Sequence, residues 1–317
     1  MANEQPIVIG TRGSALALAQ ANQILAACRE RCPGQVFELK VIKTTGDKLK
    51  TASLANPDAS LPKGLFTKEL EVALADGFID FAVHSLKDLP TDLPSGLMLG
   101  ATPPREDVRD VLLHRADAGS VKTVADLPPE ALIGSSSTRR RAQLLEQRSD
   151  LRVEEIRGNV GTRLRKVAEG TDLFGTLLAA AGLKRLGYVI SSSGELQGEG
   201  VPDGLRAVVL EIEDMLPAVG QAAIGIECRV DDERIAPICA ALTDRDTLVS
   251  VLAERAFLRA FGGGCATPVA AYAYVADQQV NMSVVSYTGE LPKRAAGAKV
   301  PESAIELGEE LAEQVRA

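Results

Sequence analysis

Along the chain the spacing of apolar residues switches between two periods. Ile7-Val8-Ile9 is a short apolar run of the kind a buried strand requires. Beyond Gly10-Thr11-Arg12-Gly13-Ser14, the residues Leu18, Ala21, Leu25 and Cys28 recur at helical spacing. This predicts strand, loop and helix. Phe37, Leu39 and Val41 alternate with Glu38 and Lys40 as in a half-buried strand, a helix is predicted from Phe66 to Ala75, and Phe81-Ala82-Val83 predicts another strand. The design starts again at Leu132-Ile133, where Gly134-Ser135-Ser136-Ser137-Thr138 leads into a helix from Arg139 to Leu145. Helices that alternate with strands cover a sheet, so the expected class is α/β.

Two proline-containing crossings interrupt this pattern: Thr102-Pro103-Pro104-Arg105-Glu106-Asp107 and Leu216-Pro217-Ala218-Val219-Gly220. A chain that crosses twice between lobes makes a hinge around a cleft. After Leu242-Thr243-Asp244 a helix is predicted to Phe261, stopped by Gly262-Gly263-Gly264. Alternation at Val280, Met282 and Val284 and a closing helix from Ala304 to Val315 follow, which predicts a small α+β domain. A length of 317 residues suits two or three cores of about 100 residues better than one. The expected domains are residues 1–103 joined by 221–241, residues 108–216, and residues 245–317.

Charge and cysteine usage narrow the function classes. With 35 basic and 43 acidic residues the net charge is −8, so nucleic acid and anionic membranes are not attracted in general and any anion binding is local. The five cysteines, at 28, 32, 228, 239 and 265, have neither disulfide-framework nor zinc spacing. No metal site is expected. The first ten residues lack a basic segment followed by an apolar one, and no apolar run reaches about 18 residues, so a cytoplasmic protein is expected.

Three places carry chemistry. Arg139-Arg140-Arg141 stand in the first turn of their helix, where the helix dipole disfavours cations. Together with the Ser135 to Ser137 loop they form a candidate anion site. A solvated basic face is the bland alternative, but Arg12, Arg157 and Arg163 also lie between strand-like and helix-like segments, which favours an anion-binding cleft. Asp88 follows the strand at Phe81 in His84-Ser85-Leu86-Lys87-Asp88-Leu89-Pro90, where Pro90 and Pro94 forbid a helix. It is either a catalytic carboxylate or a turn residue paired with Lys87. His84 reads as a hydrogen-bonded structural imidazole, and with His114 the only other histidine neither a metal cluster nor a serine-histidine triad is supported. Cys265 follows three glycines, a setting that exposes a thiol for covalent attachment and equally suits a flexible turn. Cys28 and Cys228 read as buried fillers.

From about residue 7 to 275 the chain resembles the porphobilinogen deaminases (hydroxymethylbilane synthases). The resemblance rests on residues 11–20 (TRGSALALAQ), 45–47 (TGD), 63–71 (KGLFTKELE), 83–90 (VHSLKDLP), 136–140 (SSTRR), 157–160 (RGNV), 181–186 (AGLKRL), 219–221 (VGQ) and 263–265 (GGC). It implies two periplasmic-binding-protein-like α/β lobes around a cleft plus a small α+β C-terminal domain. It further implies a monomeric cytoplasmic transferase of heme and chlorophyll biosynthesis, which condenses four porphobilinogens head to tail into hydroxymethylbilane with release of ammonia. The implied cofactor is a dipyrromethane held by a thioether to Cys265, and its implied contacts are Ser14, Lys87, Asp88, Ser135, Ser136, Ser137, Arg139 and Arg140. Implied substrate contacts are Arg12, Arg157, Arg163, Arg185, Lys63, Phe66, Gln20 and Gln221, with Asp88 as the catalytic carboxylate. Each pyrrole carries an acetate and a propionate, so several arginines are required. The chain departs from the family pattern at Phe174, where an acidic residue is usual, at Ala222 in place of a common glycine, at Gly262 in place of a frequent glutamate, and in the longer segment from Ala55 to Pro62. A non-catalytic two-lobed anion-binding module is the alternative, against which Asp88 and Cys265 argue.

Overall fold

The first predicted strand, loop and helix are β1 (Ile7–Arg12) and α1 (Ala15–Arg31), joined at Ser14, whose side chain accepts the Ala17 N–H at 3.3 Å and caps the helix. The computed structural model describes residues 5–45, 67–116, 119, 121–170, 172–264 and 267–316. The chain forms two compact units, Met1–Arg105 with Ala223–Leu252, and Glu106–Ala222 with Ala253–Ala317.

In the first unit β1 runs parallel to β2 (Phe37–Ile42) and to β3 (Phe81–Ser85). β12 (Ile224–Arg229), from much later in the chain, enters antiparallel between β3 and β4 (Leu97–Ala101), giving the order β2-β1-β3-β12-β4. Alternate residues point to opposite faces. Ile7, Ile9, Phe81 and Ile226 pack with Ala21, Ile24 and Cys28 of α1 and with Ile238 and Leu242 of α6 (Ala236–Leu242). Val8 and Ala82 meet Leu70, Ala73 and Leu74 of α2 (Lys68–Ala75) on the other face. Each fully buried aliphatic side chain contributes about 1.5–3 kcal/mol. Gly100 in β4 is obligatory, since a Cβ there would stand 2.5 Å from the Cys228 sulfur and 2.8 Å from that of Cys239. Cys28 and Cys228 are buried fillers, as predicted. Burial among apolar atoms pushes the Cys28 thiol up to about 12.

The second unit repeats the plan. β6 (Leu132–Gly134) is parallel to β7 (Arg152–Glu154) and β8 (Gly175–Ala179), and β5 (Asp110–Arg115) pairs antiparallel with β8 and with β11 (Leu205–Val209). The order β7-β6-β8-β5-β11 matches that of the first sheet position by position. α3 (Thr138–Gln147) covers one face through Leu144, while α4 (Val160–Glu169) and α5 (Ala180–Arg185) cover the other through Leu164, Val167 and Leu183. A short hairpin, β9 (Val189–Ile190) with β10 (Leu196–Gln197), lies beside the latter.

Helix α7 (Arg245–Phe261) ends where predicted, and its residues from Ala253 onward count with the second unit. A meander of β13 (Val269–Ala276), β14 (Gln279–Ser286) and β15 (Lys293–Lys299) follows, with α8 (Ala304–Val315) packed on it. Asp277 and Gln278 both take left-handed φ, 50° and 61°, as the two-residue turn between β13 and β14 demands. Gly308 lets α8 approach α7, because a Cβ there would lie 2.2 Å from the Ala253 carbonyl oxygen. This α+β element is the small C-terminal domain expected. No helix among the described residues is long and apolar enough to cross a membrane.

Candidate functional site

In the first unit the carboxyl ends of β1 and β3 lie side by side, because the strands are parallel and in register at Gly10 and Ala82. Loops beyond such ends are where open α/β sheets bind ligands. Arg12 closes β1 and is half-buried, and Ser14 is engaged as the cap of α1. Gln20 is buried, with its carboxamide 3.0 Å from the hydroxyl of Ser85, the last residue of β3, so it fixes the strand end. One 3-10 turn, Leu86–Asp88, follows, anchored by the bond from the Leu86 N–H to the Ala223 carbonyl at 3.0 Å. It leaves Lys87 half-buried and Asp88 exposed, and Asp88 forms no ion pair among the described residues. His84 is the bonded imidazole expected from the sequence, 3.0 Å from the carboxylate of buried Glu227.

The second unit gathers most of the arginines. The carboxyl ends of parallel β6, β7 and β8 share one edge, so the Ser135 to Ser137 loop, Arg157, the start of α4 and α5 all lie along it. Ser137 caps α3 by accepting the Arg140 N–H, Ser136 donates to the Ile156 carbonyl at 2.6 Å, and Ser135 accepts the Ser137 N–H at 3.2 Å. Arg139 and Arg140 are not a solvated face: they are 4% and 6% exposed. Both clasp Asp110, at 2.8 Å and 2.7 Å, each through a different oxygen of its carboxylate. Arg139 also donates to the Leu216 carbonyl at 2.7 Å and Arg140 to that of Leu177 at 2.8 Å. Gln221, also buried, donates to Asp110 at 2.9 Å and to the Val108 carbonyl at 2.7 Å. Burial pushes the Asp110 carboxyl up, but the two guanidinium charges and their hydrogen bonds more than reverse this and hold it well below the usual range.

Arg163 and Arg185 are half-buried and donate only to carbonyls, those of Gly158 at 3.0 Å and Ala222 at 2.6 Å. Burial, joined by repulsion from Arg140, lowers the Arg163 pKa, and burial lowers that of Arg185 against the pull of Glu106. Arg157, by contrast, is exposed and paired with Glu155 at 2.8 Å. Buried positive charge on this edge therefore exceeds buried negative charge. Further, the Nε–H groups of Arg139, Arg140 and Arg185 are buried with no acceptor among the described residues, each an uncompensated donor costing about 1–3 kcal/mol. An acidic ligand supplies the missing negative charge, so these residues fit a carboxylate-bearing cofactor or substrate.

Lys63, Phe66, Cys265 and the segment from Ala55 to Pro62 lie outside the described residues. Asp110, Glu227 and Glu254 were not recognised from sequence, since a lone acidic residue in a strand or helix carries no periodic or motif signal. Among the described residues no group of three or more His, Cys, Asp or Glu is placed to hold a metal.

Residues 7–237 match the family described as porphobilinogen deaminase, dipyromethane cofactor binding domain, and residues 248–317 match the porphobilinogen deaminase C-terminal domain. The chain belongs to the porphobilinogen deaminase family. A porphobilinogen deaminase of Syntrophobacter fumaroxidans is 42% identical over 97% of this chain and 93% of its own length. That of Syntrophotalea carbinolica is 48% identical over 86% and 80%, and that of Paracoccus denitrificans 42% identical over 99% and 94%. Against the porphobilinogen deaminase pattern, Phe174 stacks on His114 with ring centroids 6.0 Å apart. Ala222, where glycine is common, holds a φ of 70°, and Gly262 has a φ of 78° with open space where a Cβ would project. The first two departures thus fall on a packed ring and on a backbone position suited to glycine.

Proposed function

We propose that this chain is a transferase that condenses four porphobilinogens head to tail, releasing one ammonia at each addition, and that one water then hydrolyses the bond to the primer and becomes the hydroxyl of the freed hydroxymethylbilane. The observation that carries the reading is the excess of buried arginine on the second unit's sheet edge, with three Nε–H donors lacking acceptors among the described residues, in a chain of this family. The substrate is a dicarboxylate, and each addition brings two more negative charges. Arg139, Arg140 and Arg185, joined by Arg163, Arg157 and Arg12, supply the positive charge that attracts these carboxylates. A guanidinium about 4 Å from a carboxylate gains on the order of 4 kcal/mol at an effective dielectric near 20.

A dipyrromethane joined by a thioether to Cys265 supplies, when bound, the nucleophilic pyrrole carbon that primes the chain. Arg139, Arg140, Ser14, Lys87 and the Ser135 to Ser137 loop are the residues proposed to hold its acidic side chains. Asp88, exposed at the end of β3 with no ion pair among the described residues, stabilises the cation that remains on the substrate when ammonia leaves and then takes the proton that the pyrrole carbon sheds. Gln20 and Gln221 serve by fixing Ser85 and Asp110, and Lys63 and Phe66 complete the substrate contacts. The working division proposed is into residues 1–103 with 221–241, 108–216 and 245–317. The protein acts as a monomer in the cytoplasm, a reducing setting that suits the free thiols of Cys28, Cys32, Cys228 and Cys239.

The test is to incubate purified protein with porphobilinogen and follow its loss, the ammonia released and the mass of the product. The expected result is one ammonia per porphobilinogen and a linear tetrapyrrole. A protein that binds porphobilinogen without consuming it would be an anion receptor instead.

A further inference from the structure

Glu254 lies in the middle of α7 and is fully buried. One carboxylate oxygen accepts the Gly220 N–H at 2.7 Å and the other accepts the Ala273 N–H, in β13, at 2.9 Å. The loop it grips is not held by regular structure. Gly220 and Ala222, on either side of Gln221, both take left-handed φ, 68° and 70°. Such a backbone keeps its shape only when its surroundings impose it.

Several of the bonds that fix the arginines pass through this loop. Its Leu216 carbonyl accepts from Arg139 and its Ala222 carbonyl accepts from Arg185. Its Gln221 side chain holds Asp110, which in turn holds both Arg139 and Arg140. We propose that Glu254 is a positioning residue for substrate carboxylates: by gripping Gly220 it sets where the Arg139, Arg140 and Arg185 guanidiniums are held. This inference rests on the proposed condensation reaction. It makes affinity for substrate depend on a residue of α7 through its bond to Gly220. The same helix ends four residues before Cys265 in the sequence.

Glu254→Gln tests it. The carboxamide has one acceptor oxygen in place of two, and its NH2 turns a donor toward an N–H, so one of the two bonds is lost. In holoenzyme loaded with preformed cofactor, KM for porphobilinogen should rise on the order of tenfold, the effect of one charge-assisted hydrogen bond, while kcat stays within about threefold. Combined with Arg185→Lys, which disturbs the same loop at Ala222, the two KM effects should fall short of multiplying. If Glu254→Gln does not fold, Gln221→Met breaks the next link and carries the same expectation for KM and kcat. A folded variant with a lowered melting temperature but parental KM, or KM effects that multiply in the double variant, overturns the inference. Absence of activity in the parent enzyme would instead overturn the reaction on which it rests.

Discussion

Replacing Asp110 by Asn keeps the shape of the side chain and removes the charge shared by Arg139 and Arg140. Asp110 is 0% exposed, and both guanidiniums lie within 2.8 Å of it. The gross attraction of each pair is about 4 kcal/mol at an effective dielectric near 20, partly offset by the cost of taking three charges out of water. Deleting one member is worse than never having built the group, because two guanidiniums then face each other with no anion. The expected loss is about 3–5 kcal/mol. For a unit of roughly 150–250 residues this lowers the melting temperature by about 6–20 °C. The pH dependence has a definite sign. Since the folded-state carboxyl is held well below its ordinary value, its stabilisation is complete above about pH 4 and fades as pH falls from there toward the folded-state value. Scanning calorimetry of parent and Asp110→Asn should therefore show a constant gap from about pH 8 to pH 5 that narrows below about pH 4. A gap under about 1 kcal/mol at pH 7, or one that widens on acidification, would refute the reasoning.

Asp88→Asn, loaded with preformed cofactor, should lose roughly 10²–10⁴-fold in turnover while Asp88→Glu retains measurable activity, as single-turnover assays of both would show; equal, near-parental rates would return Asp88 to a turn residue. Cys265→Ser should fold yet lose the cofactor mass in intact mass spectrometry and nearly all activity, because a hydroxyl is a far poorer nucleophile than a thiol; retention of both would remove Cys265 from the scheme. Ala222→Gly should change stability by less than about 1 kcal/mol, since relief of the left-handed backbone is offset by a lost buried methyl and a more flexible unfolded chain. Ala222→Val, with its branched Cβ in the same backbone, should cost more than about 2 kcal/mol in urea unfolding.

The alternation of strands and helices was legible because each element carries a local signal: Ser14 and Ser137 cap helices, and glycines follow α7. What was not legible is which strands become neighbours. Ile224 to Glu227 reads as strand-like, but nothing local places it between β3 and β4, whose partners lie more than a hundred residues away. β4 itself, Leu-Met-Leu-Gly-Ala, has no alternation to detect. At the site, the run from Arg139 to Arg141 stood out because cations at a helix start are anomalous. Only the structure shows that Arg139 and Arg140 turn inward while Arg141 stays exposed. Arg157 was grouped with them by its loop, yet its guanidinium pairs with Glu155 at the surface. Asp110 opens the apolar run Val-Leu-Leu of β5, a position where a carboxylate reads as a solvated strand end. Its burial follows from β5 running antiparallel to β8, a long-range pairing that brings Asp110 level with Ala179 at the arginine edge.

The late arrival of β12 sets an order of events on the ribosome. All five strands of the second sheet have been made once Val209 is synthesised, whereas the first sheet lacks its fourth strand until Arg229. At about 5–20 residues per second, β3 and β4 wait on the order of ten seconds with their hydrogen-bonding edges unpaired. The sheet begun first is thus finished second, and the nascent amino-terminal segment is the part of this chain most in need of a chaperone.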